Sequence, residues 1–161
     1  MRNHEPPNYA CPFCRILNQA KDFIETTDVI FQDLSVTAFL GLGRWEHNPE
    51  DVLIVPNRHI ENLYDLPLEL VPALHQTTRA VALALKAVYQ CGGISTRQHN
   101  EPAGDQDVWH YHVHVTPRFA SDRFYENHKV PFPETERVEA VKKLRDYLAE
   151  NRVSLFQVSP S

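Results

Sequence analysis

The 161-residue chain has no long apolar run, no basic stretch and only three cysteines. No segment reaches the roughly 18 apolar residues that a membrane-spanning helix needs, and the first ten residues lack the apolar core of a signal peptide. We therefore expect a cytoplasmic protein with no membrane partner. Lysine and arginine number 16 against 21 acidic residues, which gives a net charge of -5. This balance argues against a nucleic-acid partner, although a nucleotide held by local donors stays possible.

The odd number of cysteines argues against a disulfide framework. Two of them form a CxxC pair, Cys11 and Cys14, whereas Cys91 follows a helical pattern and is most simply a packed thiol. The CxxC pair is therefore the cysteine feature that needs a chemical explanation.

The length of the chain is typical of a single domain that buries an adequate core. Residues 1–10 carry two prolines and little apolar content, so we predict a flexible N-terminal tail there. Residues 11–161 are predicted to form one domain.

The apolar pattern predicts an α+β domain. Alternating or continuous apolar runs predict five strands, at residues 28–33, 35–41, 52–56, 93–100 and 107–117. Helical spacing predicts a long helix over 67–90, capped by the glycines that follow Cys91, and a C-terminal helix over 134–150. Residues 41–51 and 122–133 read as turns and loops. Neighbouring hairpin strands around one long helix favour a mostly antiparallel sheet of about five strands.

The stretch "WHYHVHVTPR", residues 109–118, places a histidine at every second position. In a strand, His110, His112 and His114 would share one face at steps of ~6 to 7 Å. Two chemical interpretations follow from the residues alone. The imidazoles could bind a metal, as in a metallohydrolase, or one could act as a nucleophile at phosphorus while its neighbours donate to an anionic substrate.

At this point the chain resembles the histidine triad (HIT) family of nucleotide hydrolases and transferases, whose signature is His-φ-His-φ-His-φ-φ, where φ is an apolar residue. The resemblance rests on "HYHVHVTP" and extends, in family order, through "CPFCRIL", "VLIVPNRHIENLYDLP" and "HNEPAGDQDVWHYHVHVTPR". It implies the HIT-like fold over about residues 11–118.

The resemblance also implies an activity and its residues. His112 would attack the α-phosphorus of a nucleoside phosphoramidate or dinucleoside polyphosphate to give a nucleotidyl-histidine that water resolves. His114 would donate to the phosphate, and Gln106 and Asn100 would contact the substrate. A homodimer is implied as well. The alternative is a nucleotide-binding module with weak or no turnover.

Some HIT relatives hold a structural zinc ion with a CxxC pair, a later histidine and the first histidine of the triad. The matching residues here are Cys11, Cys14, His59 and His110. The resemblance therefore implies a Zn²⁺ cofactor at these four residues. Four protein ligands leave no open position, so such a zinc would be structural.

The chain departs from the family pattern at four positions. Family members usually carry Gly-His before the strand that ends at Pro56, whereas this chain has Glu50 and Asp51. Gly41 stands where an acidic or amide residue usually holds the ribose, and Asp107 stands where some relatives carry a hydroxyl near the leaving group. We expect these changes to alter nucleotide affinity or activity without affecting His112.

Overall fold

The computed structural model describes residues 3–20, 28–41, 43–48 and 50–156. Residues 1 and 2 of the predicted tail and residues 157–161 of the predicted domain lie outside the described residues. The regular elements, in chain order, are α1 (Pro12–Ala20), β1 (Val29–Gln32), β2 (Val36–Leu40), β3 (Gly43–Trp45), β4 (Val52–Pro56), α2 (Val71–Tyr89), β5 (Gly93–Gln98), β6 (Val113–Arg118), β7 (Lys129–Pro131), α3 (Glu134–Glu150) and α4 (Arg152–Phe156).

The main sheet has five strands in the order β1-β2-β4-β6-β5, and every neighbouring pair is antiparallel. The predicted α+β class, with about five strands, one long helix and a C-terminal helix, is confirmed. Within the described parts of the chain, no helix is both long and apolar enough to cross a membrane.

The two faces of the sheet carry different cores because successive side chains of a strand point in opposite directions. On β4, Val52 and Ile54 belong to a large cluster shared with α2, α3 and α4, whereas Leu53 and Val55 belong to a smaller one that includes Cys11 and other residues of the N-terminal segment. Helices α2, α3 and α4 therefore cover one face, and the N-terminal segment with α1 packs on the other.

The helix predictions are confirmed in position, but the cap of the long helix was predicted wrongly. A 3-10 turn at Leu68–Leu70 precedes α2. The residue that ends α2 is Gln90, whose φ of 52° lies in the left-handed region. The backbone N–H of Gln90 donates to the Lys86 carbonyl, so the helix is already closed before the glycines at 92 and 93.

A two-stranded sheet formed by β3 and β7 was not predicted. Arg44 pairs with Val130 in its register, yet both strands lie in segments whose glycine, charge and proline content predicts loops. Each has only three residues, too few for a periodicity to be read. The pairing brings Lys129 of β7 toward the histidine region.

The strand that carries the histidines begins later than predicted. β6 starts at Val113, so His110 and His112 precede the ladder. Pro56 explains why the ladder begins no earlier than Val113. Proline has no N–H to donate to the ladder, and the Pro56 carbonyl is bound by the His110 ring at 3.0 Å. The backbone N–H of Tyr111 instead donates to the Ile60 carbonyl at 2.6 Å.

Candidate active site and metal cluster

Cys11, Cys14, His59 and His110 meet at one point, between the start of α1 and the segment before β6. One ligand atom from each of the four lies within 4.8 Å of all the others. Cys11 Sγ is 3.4 Å from His110 Nδ1, and Cys14 Sγ is 3.3 Å from His59 Nδ1. All three cysteines of the chain are free thiols.

These distances fit a tetrahedral zinc ion. Typical Zn–S and Zn–N bonds place a sulfur and a nitrogen ligand about 3.6 Å apart, close to the separations observed. The second nitrogen of each ring is also held: His110 Nε2–H donates to the Pro56 carbonyl at 3.0 Å, and His59 Nε2 is 2.6 Å from Glu5 Oε2. Such partners fix the ring orientation of ligand histidines, so the donor set suits the ion.

The His112 ring is oriented with one nitrogen free. Its Nδ1–H donates to the His110 carbonyl at 2.7 Å, which leaves the lone pair on Nε2. Burial is the main cause that lowers the pKa of His112 to about 4, and the adjacent His114 lowers it further. The ring is therefore neutral at pH 7, as a nucleophile requires. Asp107 Oδ1 lies 3.9 Å from Nε2, on an exposed side chain.

His112 and His114 line a cavity of about 500 Å³ on the face of the sheet opposite α2, α3 and α4. Its apolar wall includes Phe13, Ile16 and Leu53, and its polar wall includes Asp51, Asp107 and Lys129. Phe13, which lies between the two cysteines, meets the His112 ring edge-on at a centroid distance of 5.1 Å. The cavity thus combines an apolar surface with imidazole nitrogens and charged groups.

Asp51 makes the closest polar contact to His114. Its Oδ2 is 2.9 Å from His114 Nδ1, and its Oδ1 accepts a hydrogen bond from the Thr116 hydroxyl at 2.8 Å. Burial alone would raise the pKa of Asp51, but the His114 and Thr116 contacts outweigh it and hold that pKa below its usual value. Asp51 is therefore ionised at neutral pH.

Gly41 is fitted closely to the same segment. Its backbone N–H donates to the Asp51 carbonyl at 2.9 Å, and a Cβ at this position would lie 3.2 Å from that carbonyl oxygen. A side chain here would therefore require its neighbours to move.

The two amides predicted to contact substrate are held by backbone groups of their own loop and of the segment at residues 61–63. Gln106 Nε2 donates to the Glu61 and Val108 carbonyls, and its Oε1 accepts from the Glu101 N–H. Asn100 Oδ1 accepts from the Leu63 N–H at 2.8 Å. Neither lines the cavity that contains the two histidines, and their contact with substrate stays a prediction.

Three further residues near these sites received no role from sequence reasoning. Glu5 contacts His59, Lys129 enters the cavity wall, and the His99 ring lies 6.0 Å from that of His114. The histidine spacing carried no signal for Glu5 or Lys129, because both contacts depend on how distant segments pack. Nδ1 of His99 is engaged with the Gly104 carbonyl at 2.8 Å.

Comparison with known proteins adds relatives to this geometry. A Bacillus subtilis protein called Protein hit is 30% identical over 109 residues, which are 68% of this chain and 71% of the relative. A HIT-like protein from Bartonella henselae, described as involved in cell-cycle regulation, has a similar structure with a TM-score of 0.74 and 26% identity, over 86% of this chain and 96% of that one. A zinc-bound histidine triad family protein from Mycobacterium smegmatis has a TM-score of 0.72 and 25% identity, over 90% and 97%.

The profile of one family, the HIT domain, matches residues 23–121. This segment contains β1 to β6, the histidine stretch and His59, so it covers the whole main sheet. The CxxC pair, Glu5 and the cavity residues Phe13, Ile16 and Lys129 lie outside it. The chain therefore belongs to the HIT domain family.

Proposed function

We propose that this protein is a nucleotide hydrolase or nucleotidyltransferase that cleaves a nucleoside phosphoramidate or dinucleoside polyphosphate at the α-phosphorus through a nucleotidyl-His112 intermediate. The observation that carries the proposal is the hydrogen bond from His112 Nδ1–H to the His110 carbonyl, because it leaves the Nε2 lone pair of a neutral ring beside the cavity. Family membership supports a nucleotide as the ligand.

The reaction proceeds in two displacements. Nε2 of His112 forms a bond to the α-phosphorus as the bond from phosphorus to the leaving group breaks, and the leaving group departs protonated. The proton that the leaving group takes up comes from solvent. Water, or another acceptor nucleophile, then attacks the same phosphorus and gives up a proton to solvent, the P–N bond breaks, and neutral His112 returns. His114 donates to a phosphate oxygen during both displacements, where negative charge develops.

Zinc bound by Cys11, Cys14, His59 and His110 would supply a closed structural crosslink, with no open position for substrate. Those residues tie the start of α1 to the segment that carries His112. We expect the protein to act as a homodimer in the cytoplasm, with a small-molecule nucleotide as substrate and without a nucleic-acid partner.

The test is single-turnover chemistry with adenosine phosphoramidate and with a diadenosine polyphosphate. The wild type should gain the mass of one adenylyl group after rapid quenching in alkaline denaturant, where the P–N bond survives, and His112→Ala and His112→Gly should not. His75→Ala, which alters an exposed histidine on α2, is the matched control and should behave as the wild type does. Turnover that survives in both His112 variants contradicts the proposal.

A nucleotide-binding module is the second candidate, favoured by Glu50 and Asp51 where relatives carry Gly-His and by the tight packing at Gly41. It predicts tight binding of AMP by calorimetry with neither adduct nor product from either substrate. The same experiment therefore separates the two functions.

A further inference from the structure

The His114 ring is held by a buried carboxylate. Asp51 is 3% exposed and His114 is 8% exposed, and the Oδ2 to Nδ1 distance is 2.9 Å. The other oxygen of Asp51 is fixed by the Thr116 hydroxyl at 2.8 Å. Both carboxylate oxygens are thus engaged by residues of β6, and the carboxylate has one orientation relative to the imidazole.

The direction of this hydrogen bond follows from the ionisation of Asp51. An ionised carboxylate only accepts hydrogen bonds, so Nδ1 of His114 must be the donor. A neutral imidazole has a single N–H. With that N–H committed to Asp51, a neutral His114 would present only a lone pair at Nε2, and a phosphate oxygen would meet repulsion there.

Several other charged or titratable groups surround the His114 ring. Those on the packed elements are His112 at a ring distance of 4.9 Å, His99 at 6.0 Å, Arg97 directly opposite on β5, and Arg15, Asp28, Asp107 and Lys129 in the cavity wall. Among them, Asp51 is the group that is hydrogen-bonded to the ring. Asp51 therefore fixes the orientation of the imidazole that lines the cavity.

We infer that Asp51 is a positioning residue that takes the place of the family's usual histidine, holding Nδ1–H of His114 so that the ring presents Nε2 as the nitrogen that donates to the substrate phosphate. This inference rests on the proposed function. Under it, the change from Gly-His to Glu50-Asp51 is a working replacement rather than a loss of the site.

Three variants test the inference. Asp51→Asn keeps the shape and removes the charge, Asp51→His restores the residue usual in the family, and Thr116→Val releases one carboxylate oxygen. Circular dichroism and thermal unfolding first establish that each variant is folded. His75→Ala serves as the control, because it removes an exposed imidazole on α2, distant in sequence from Asp51 and His114.

The first readout is the protonation of the His114 ring, followed by nitrogen-15 NMR of imidazole-labelled protein between pH 5 and 9 with AMP bound. In the wild type and in His75→Ala, Nδ1 should be the nitrogen whose proton is hydrogen-bonded to a carboxylate. In Asp51→Asn the Nδ1–H resonance should lose that strongly deshielded position, and Thr116→Val should shift in the same direction by less.

The second readout is adduct formation. A hydrogen bond to a charged group changes a rate by roughly 10- to 100-fold when it is removed, so Asp51→Asn should slow adenylylation by about that factor. Asp51→His should recover much of the rate. Unchanged His114 spectra in folded Asp51→Asn overturn the inference. If the wild type forms no adduct, the proposed function fails, and the spectra alone then decide the inference about Asp51.

Discussion

The His110 carbonyl accepts the Nδ1–H of His112 at 2.7 Å. The side chain of the same His110 belongs to the Cys/His cluster through Nδ1 and donates from Nε2–H to the Pro56 carbonyl. The residue that orients the proposed nucleophile is therefore also a proposed metal ligand. Loss of the metal should therefore disturb His112, because the His110 carbonyl that orients its ring belongs to the proposed ligand.

Purified protein should contain about one zinc ion per chain, because four suitable ligand atoms already lie within 4.8 Å of one another. Cys14→Ser, or removal of zinc by a chelator, should lower both the thermal midpoint and the rate of adenylylation. Elemental analysis and calorimetry measure the two effects, with Cys91→Ser as the control for loss of a buried thiol outside the cluster. Metal-free protein with intact reduced thiols would contradict the prediction.

Glu5 should strengthen zinc binding through His59. Its Oε2 lies 2.6 Å from His59 Nε2, and residues that hold ligand histidines typically change metal affinity by about 10- to 100-fold. Glu5→Gln should therefore raise the dissociation constant for zinc, measured by competition with a coloured chelator. Glu69→Gln, which alters an exposed carboxylate near Arg58, should bind zinc as the wild type does. Equal affinities in both variants would show that Glu5 contributes nothing.

Glu50 should make stability depend on pH. Burial raises its pKa from 4.5 to about 7, opposed by Tyr89, Arg44 and Lys143. Because the folded-state pKa lies above the unfolded value, this contribution to stability is fully present below pH 4.5 and is lost as pH rises through about 7. The difference corresponds to about 3 kcal/mol. Only 4% of Glu50 is exposed, so screening by solvent is small.

Urea unfolding at pH 5 and pH 8 measures this contribution. The free energy of unfolding of the wild type should fall between the two pH values more than that of Glu50→Gln does. Glu139→Gln, at an exposed position on α3, should keep the wild-type dependence. Parallel pH profiles for the wild type and Glu50→Gln would show that Glu50 ionises normally.

Gln106→Ala distinguishes a loop-holding role from a phosphate contact. The buried amide makes three hydrogen bonds to backbone groups, and leaving buried partners unsatisfied costs about 1–3 kcal/mol. The variant should lose about that much stability, with an added loss of AMP affinity only if the amide also reaches phosphate. Chemical denaturation and calorimetry on the same samples give both values. Unchanged stability with weaker AMP binding would favour the phosphate contact.

Sequence reasoning predicted much of the fold. The bounds of α3 agree with the predicted 134–150, and each strand of the main sheet lies within a predicted run except β6, which ends one residue later, at Arg118. These elements were predictable because their apolar periodicity matches the burial that the sheet and helices impose. The four cysteine and histidine residues of the metal cluster were also named in advance, from the family resemblance, and the structure brings them together.

The remaining features depend on contacts between distant segments. Gln90 ends α2 although glycine is the residue that favours a left-handed φ. The β3–β7 pairing and the late start of β6 arise from neighbours that are distant in sequence. Asp51 was noted as a departure from the family, but its contact with His114 needed the register of β4 against β6.

The Glu5 contact with His59 has a practical consequence for preparing the protein. The backbone N–H groups of His4 and Glu5 both donate to the Glu61 carboxylate, so this stretch lies directly against the metal cluster. An affinity tag joined ahead of it would compete with these contacts, and a protease that trims it would remove Glu5. The α4 helix packs with α2 on the other face of the sheet. A tag at the carboxyl end is therefore the choice under which measured metal content reflects the protein itself.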